Sequence, residues 1–382
     1  MLTQKILTRE FILCFFAQFT FTCVFHLLTP TLPIYLSRLE SSEVEIGILI
    51  GTLSVSSLVL RPFIGRALLR ISEKKFMVVG ALLFVLTSIS FLFAPPFWPF
   101  LMVRIFQGIG VAFFYTSSVT LIANITPETH RGQSISYFYL SFNIAMALAS
   151  SFGMVLINHF SFIILFLVCS GLSLCSLLIT NKLENRQIPP IGDSSIGEDS
   201  FLSREAIPPS VIIFFTHVIW GSLTAFFPLY AVNHGVANPG LFFAVYAMML
   251  ISARALGGKI IDLYSREKVI LPCLMTYIIA MIMLAFSKTL PMFILVAVIW
   301  GIGNAFVVPT LVVYTLDRVG SSRGPAMGTL TAIGDLGAGL GPVIMGIVLR
   351  LTSYPTMFLC LALIGIINLN YFFFFLRKKK GA

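Results

Sequence analysis

The 382-residue chain is 58% hydrophobic and only 10% charged, with a formal net charge of +10. So much apolar surface cannot be hidden in a soluble core, which excludes an ordinary water-soluble globular protein. The basic excess sits in short loops between apolar runs, where it reads as a topology signal and not as a nucleic-acid surface.

The apolar runs are about the length a helix needs to cross a bilayer, and lipid leaves no water to satisfy the backbone of an open strand. The expected fold is therefore an all-α membrane protein with twelve spans. In chain order they cover about 10–36, 44–66, 75–95, 98–122, 133–157 and 161–180, then 209–232, 240–263, 268–287, 291–315, 325–349 and 354–376. Lys5 and Arg9 before the first run imitate a signal peptide, but the run continues too far and lacks a small-residue cleavage site, so it reads as the first span. Alternate loops carry 19 of the 25 lysines and arginines, while Arg38, Lys288 and Arg350 fall on the other side and Arg61, Arg104 and Arg254 lie within spans. The positive-inside rule then puts both termini in the cytoplasm of a cell whose inner membrane the chain spans.

Between spans six and seven, Asn181 to Pro209 is rich in Pro, Ser, Gly and acidic residues and reads as a flexible linker. It separates a six-helix bundle over 1–180 from a second over 209–382, with residues 181–208 as the cytoplasmic connection. The two bundles look like copies of one unit. Arg61 to Lys75, RPFIGRALLRISEKK, matches Arg254 to Lys268, RALGGKIIDLYSREK; Gly108-Ile-Gly110 matches Gly301-Ile-Gly303; LPIY at Leu32 matches FPLY at Phe227. Even numbers of spans per copy keep the repeats parallel, about an axis along the membrane normal, and a cavity shared by the halves is expected.

Two six-span halves, a long central loop and a Gly-basic-x-x-Asp-x-x-x-basic pattern after spans two and eight resemble the major facilitator superfamily of transporters, over essentially the whole chain. The pattern is carried by Gly258, Lys259, Asp262 and Arg266, and in the first copy by Gly65 and Arg66, where Leu69 replaces the acidic residue. In the family this loop is implied to latch the halves together, so here the latch is expected to be asymmetric and to lean on Asp262. RIFQGIGVAFFY from Arg104 is similar to an arginine motif of proton-coupled members, and the arginine-proline at Arg61 resembles the bacterial drug and sugar efflux branch. GAGLGPVIMG from Gly337 resembles an antiporter glycine-proline motif, although in span eleven; span five has Ala149-Ser150 where that motif is expected.

Three residues are candidates for proton coupling. Arg104 lies inside span four, where an unsatisfied charge costs about 2.5–3.5 kcal/mol on insertion scales, so it must face protein or water; it either tunes a proton or anion site or is satisfied by carbonyls. Asp335, twelve residues after Arg323 and so about 18 Å along span eleven, is the acidic residue placed deepest in a span. It can carry a proton, or it can cap a backbone group in a glycine-rich packing helix. Histidine is the side chain that can titrate in the physiological range, which makes His26 a candidate, though a lone histidine is more often a packing residue.

The substrate-cavity candidates are Gln18, Thr22 and His26, which with Thr29 share one face of span one, together with Gln107 and Tyr115 on span four, His217 on span seven, and Trp300 and Asn304 on span ten. Pro30, Pro33, Pro228 and Pro309 are expected to bend their helices. The six cysteines lie in apolar runs and read as packing residues. No phosphate loop, nucleophile triad or metal cluster is present, so the expected protein is not an enzyme and carries no cofactor or metal. An ion gradient in place of ATP would drive it. The expected function is secondary active transport of a small organic molecule by alternating access, as a monomer in the lipid bilayer and with no nucleic-acid partner. Proton-coupled export is the first reading; the alternative is a symporter importing a metabolite or metallophore.

Overall fold

The computed structural model describes residues 7–68, 70–95, 97–126, 131–185, 203–257, 264–319 and 323–376. It is helical throughout, with no strand among the described residues. Twelve long helices follow one another: α1 Arg9–Arg38, α2 Glu43–Ala67, α3 Glu73–Ser90, α4 Trp98–Ile125, α5 Arg131–His159, α6 Phe162–Asn181, α7 Ile207–Asn233, α8 Gly240–Gly257, α9 Arg266–Phe286, α10 Leu290–Val319, α11 Arg323–Leu351 and α12 Tyr354–Tyr371. Ten are long and apolar enough to cross a membrane. α8 is a shorter apolar helix, and α3 has 18 residues with Glu73, Lys74 and Lys75 in its first turn. Each helix coincides with one expected span to within a few residues.

Local chemistry sets the helix ends. At the start of α2, Glu45 accepts from the Ser42 backbone N–H (2.8 Å) while the Ser42 hydroxyl accepts in return from Glu45 N–H (3.4 Å), a reciprocal capping box. Ser161 caps α6 through the Ile164 N–H and Ser353 caps α12 through the Thr356 N–H. These two serines occupy matched places in the two halves, as Arg131 and Arg323 do, so the duplication extends to the turn chemistry. Pro30, Pro33, Pro228 and Pro309 all lie inside helices that run on past them.

The chain forms two compact units: Met1–Thr31 with Ser56–Gly197, and Leu32–Val55 with Glu198–Ala382. In the first, α3 packs between α4 and α6; in the second, α9 packs in the same way between α10 and α12. The first unit also fastens the start of the linker. Lys74 Nζ donates to the carbonyls of Asn181 (2.7 Å) and Leu183 (2.6 Å), and Ser72 Oγ donates to Asn185 Oδ1 (2.6 Å). In the second unit α7 packs closely against α11. A Cβ on Gly337 would lie 2.3 Å from the Phe214 carbonyl oxygen, one on Gly341 2.4 Å from that of Val218, and one on Gly221 2.3 Å from that of Ala338. Only glycine lets two backbones approach so closely, and between membrane helices such packing replaces the hydrophobic effect as the cohesive force. A different face of α11 seats the first half of α2, where Gly47 and Gly51 lie against the carbonyls of Pro342 and Gly339.

Candidate functional site

In the first unit the polar face of α1 meets α4. Gln18 Nε2 donates to Thr22 Oγ1 (2.9 Å), Gln18 Oε1 accepts from Ser118 Oγ (2.8 Å), and Thr22 Oγ1 lies 3.2 Å from the Tyr115 hydroxyl. Gln18, Thr22 and Ser118 are fully buried. In an apolar helix pair each of these polar atoms must find a partner; Gln18 and Thr22 bond each other along α1, and each reaches across the seam to α4, which fixes the register of the two helices. The Tyr115 ring stacks on Phe142 of α5 (centroids 4.6 Å apart) and meets Phe21 edge-on.

One turn beyond Thr22 the bonding stops. His26 is 2% exposed, its ring edge-on to Phe25 and Phe142, and neither ring nitrogen has a hydrogen-bond partner among the described residues. Thr29 turns back to donate to the Phe25 carbonyl (3.0 Å). Further along α4, the buried Arg104 donates through Nη1 to Gln107 Oε1 (2.5 Å), which leaves the Gln107 Nε2 amide buried with no partner among the described residues. Arg104 thus has a partner one turn along its own helix.

The second unit gathers a different set. Trp300, 1% exposed, lies against Tyr246 of α8 (centroids 4.4 Å), Trp220 of α7 (5.6 Å) and Phe242 of α8 (6.0 Å), with Tyr277 of α9 edge-on at 6.2 Å. One turn on, Asn304 bridges two phenols: its Oδ1 accepts from the Tyr277 hydroxyl and its Nδ2 donates to the Tyr246 hydroxyl. The Trp300 indole N–H is buried without a partner among the described residues. Beside this cluster Arg254 Nε donates to the Ala305 carbonyl (3.2 Å), tying α8 to α10; the matched Arg61 Nε instead reaches Ser57 Oγ on its own helix (3.2 Å).

The sequence candidates therefore fall into separate groups. Gln18, Thr22 and Tyr115 form one network with His26 at its end, Arg104 and Gln107 pair on α4, and Trp300 and Asn304 share the aromatic cluster. His217 sits apart from that cluster, on the α7–α11 seam. Its Nδ1 lies 2.9 Å from the Ile213 carbonyl, and its ring packs over Gly334, 3.5 Å from where a Cβ would stand. Asp335, the next residue along α11, is half-buried. Of the latch residues, Gly65 and Arg66 are exposed near the end of α2 and Arg266 opens α9; Gly258, Lys259 and Asp262, and Leu69 of the first copy, lie outside the described residues. Sequence reasoning missed Ser118, Phe142, Trp220, Tyr246 and Tyr277. Ser118 stands one turn from Tyr115 and was within reach of a helical-face argument; the aromatic residues were hidden by their abundance in a chain that is 13% aromatic.

The family profile described as Major Facilitator Superfamily matches residues 14–253 and 210–382. The staphylopine export protein of Staphylococcus aureus is 25% identical over 366 residues, covering 89% of this chain and 89% of that protein. Multidrug resistance protein 2 of Bacillus subtilis is 23% identical over 374 residues, covering 93% and 92%. Among solved structures, a POT family transporter in complex with a thioalcohol-conjugated peptide superposes with a TM-score of 0.81 at 12% identity, over 97% of this chain and 96% of that one, a likeness of fold.

Proposed function

The chain belongs to the Major Facilitator Superfamily, and from that premise we propose that it exports a small organic molecule by alternating access, coupled to the inward movement of protons. It is a multi-pass membrane protein and a transporter, not an enzyme. Export is supported by the two relatives, one named as an export protein and one as a multidrug resistance protein, each matched over about nine-tenths of the chain. The observation that carries proton coupling is Asp335, a half-buried carboxyl in the middle of the 29-residue helix α11. A charge there is costly in a membrane, so it is retained where it is used.

In this reading Asp335 takes up a proton from outside and releases it inside, with Arg104 and His26 as secondary candidates. Protonation shifts the balance between the two access states only through a difference in affinity between them. The membrane potential adds about 2.3 kcal/mol per charge per 100 mV. Gln18, Thr22, Gln107, Tyr115, His217, Trp300 and Asn304 supply the substrate contacts. Tyr115, Trp300 and their neighbouring rings favour an amphipathic compound over a strongly polar one. Gly65, Arg66, Gly258, Lys259, Asp262 and Arg266 form the conformational latch. The transporter works as a monomer in the bacterial inner membrane with both termini in the cytoplasm.

The test is uptake into everted membrane vesicles of a panel of fluorescent amphipathic cations and acids. The reading expects accumulation of at least one compound when the vesicle interior is acidic, abolished by a protonophore and by Asp335→Asn. Full gradient-driven accumulation by the Asp335→Asn protein would remove Asp335 from the proton path.

A further inference from the structure

Outside the polar clusters, the second unit contains a largely apolar groove with one lysine at its edge, which transport does not use. A groove of about 390 Å³ lies between the start of α9 and α10, lined by Tyr264, Lys268, Val269, Pro272, Cys273 and Phe306. Its origin is in the sequence. Pro272 sits inside α9 and has no N–H to return to the Lys268 carbonyl, so the helical bond that would close this turn is missing. Four of the lining side chains are apolar or nearly so, and the two polar ones, Tyr264 and Lys268, stand at one end and are exposed.

The groove opens toward lipid. From Pro272 the exposed residues of α9 continue as Met275, Ile279, Ile282 and Phe286, all apolar and spaced three or four apart, one stripe down one helix face. Such a stripe in a membrane span is the surface that acyl chains cover. The charged end of the groove is the end of α9 that the lysine and arginine distribution puts in the cytoplasm; Lys288, past the other end, falls on the opposite side. Arg266 and Lys268 flank Glu267 there, so the local balance is positive, at the depth of the inner leaflet's phosphates. A tyrosine at this depth sits with its ring among the headgroups.

We propose that this groove binds one anionic phospholipid of the inner leaflet, its phosphate against Lys268 and the Tyr264 hydroxyl and one acyl chain lying over Val269, Pro272, Cys273 and Phe306. Basic pockets between membrane helices on the cytoplasmic side hold anionic headgroups through charge, and the apolar floor supplies the rest of the contact. In the first half of the chain Lys75 and Val79 stand where Lys268 and Pro272 stand in the second copy, so the proline is particular to the second copy. Lys268 also ends the repeated stretch that begins at Arg254. This assignment is independent of the direction of transport and of the coupling ion.

The test is native mass spectrometry of the full-length purified protein with added phosphatidylglycerol or phosphatidylcholine, on the wild type and on Lys268→Gln, Lys268→Arg and Lys288→Gln. The expected result is a phosphatidylglycerol adduct on the wild type that survives in Lys268→Arg and Lys288→Gln. In Lys268→Gln its affinity should fall about fivefold, the equivalent of about 1 kcal/mol for one basic residue near the surface. Phosphatidylcholine should bind all four proteins alike and more weakly, and glycerol phosphate should not displace the lipid. An undiminished adduct on Lys268→Gln, equal binding of the two lipids to the wild type, or displacement by glycerol phosphate would each overturn the proposal. Lys268 is exposed, so its substitution leaves the fold intact.

Discussion

The two halves use matched positions for opposite ends. Phe142, Ala145 and Ala149 on α5 correspond to Gly334, Gly337 and Gly341 on α11, in the register set by Asn143 and Asp335. In the second half the three glycines let α7 and α11 interlock backbone to backbone and leave room beside Gly334 for the His217 ring. In the first half a phenylalanine fills the corresponding place, stacking on Tyr115 and bordering His26; close approach occurs elsewhere, at Gly153, 2.7 Å from the Leu27 carbonyl oxygen to its absent Cβ, and at Gly80, 2.8 Å from the Gly110 carbonyl oxygen. The first half is held across its α1–α4 seam by hydrogen bonds; the second is held by glycine packing and an aromatic cluster pinned by Asn304. Duplication preserved the helices and their caps while the cohesive chemistry diverged.

The largest effect should come from closing the glycine seam. Gly337→Val places methyl groups where a Cβ alone already meets a carbonyl, and it should destabilise the protein near the upper end of the roughly 1–3 kcal/mol that overpacking costs. The helix-propensity gain over glycine, below about 1 kcal/mol, is too small to offset it. Ala145→Val at the matched place should cost less, and thermal denaturation in detergent measures both; equal losses would erase the contrast. Next is Asn304→Leu, which strands the Tyr246 and Tyr277 hydroxyls, each near the lower end of the roughly 1–3 kcal/mol that a buried unpaired group costs. Adding Tyr246→Phe and Tyr277→Phe should recover most of the loss in melting temperature, and no recovery would argue against the bridge.

In the first half, Thr22→Val and Tyr115→Phe should each cost about 0.5–1.5 kcal/mol and couple, so that the double variant loses less than the two singles together. Strict additivity in a double-mutant cycle would show that the two hydroxyls do not bond. The smallest effect belongs to His26→Phe. Both imidazole nitrogens lack partners, so an apolar ring of similar shape should leave the melting temperature unchanged or slightly raised. A marked drop would mean that His26 is bonded.

Much of the fold was legible because lipid is an unforgiving solvent: runs of twenty apolar residues, loop charges and a repeat in the sequence leave few alternatives. The α1 stripe was legible for the same reason, since Gln18, Thr22 and His26 share a face at helical spacing and α4 had polar residues to answer it. What the stripe could not show is where satisfaction ends, with Thr22 bonded and His26 bare one turn later, because that depends on Phe142 arriving from a third helix. The aromatic cluster was half seen. Trp300 and Asn304 stood out by type, but Tyr246 and Tyr277 are ordinary residues until α8, α9 and α10 come together around Asn304. His217 stands out by type on α7, yet its ring lies over Gly334 on the α7–α11 seam and not in the aromatic cluster.

The central claim, export coupled to protons, is tested most directly without knowing the cargo. Small molecules are compared, inside the cells and in the medium, between cells that express the chain and cells that lack it, with and without a protonophore. The account predicts at least one organic compound enriched in the medium of expressing cells, with that enrichment abolished when the proton gradient is collapsed. A compound drawn from the medium into expressing cells, or export that persists undiminished under the protonophore, would contradict it.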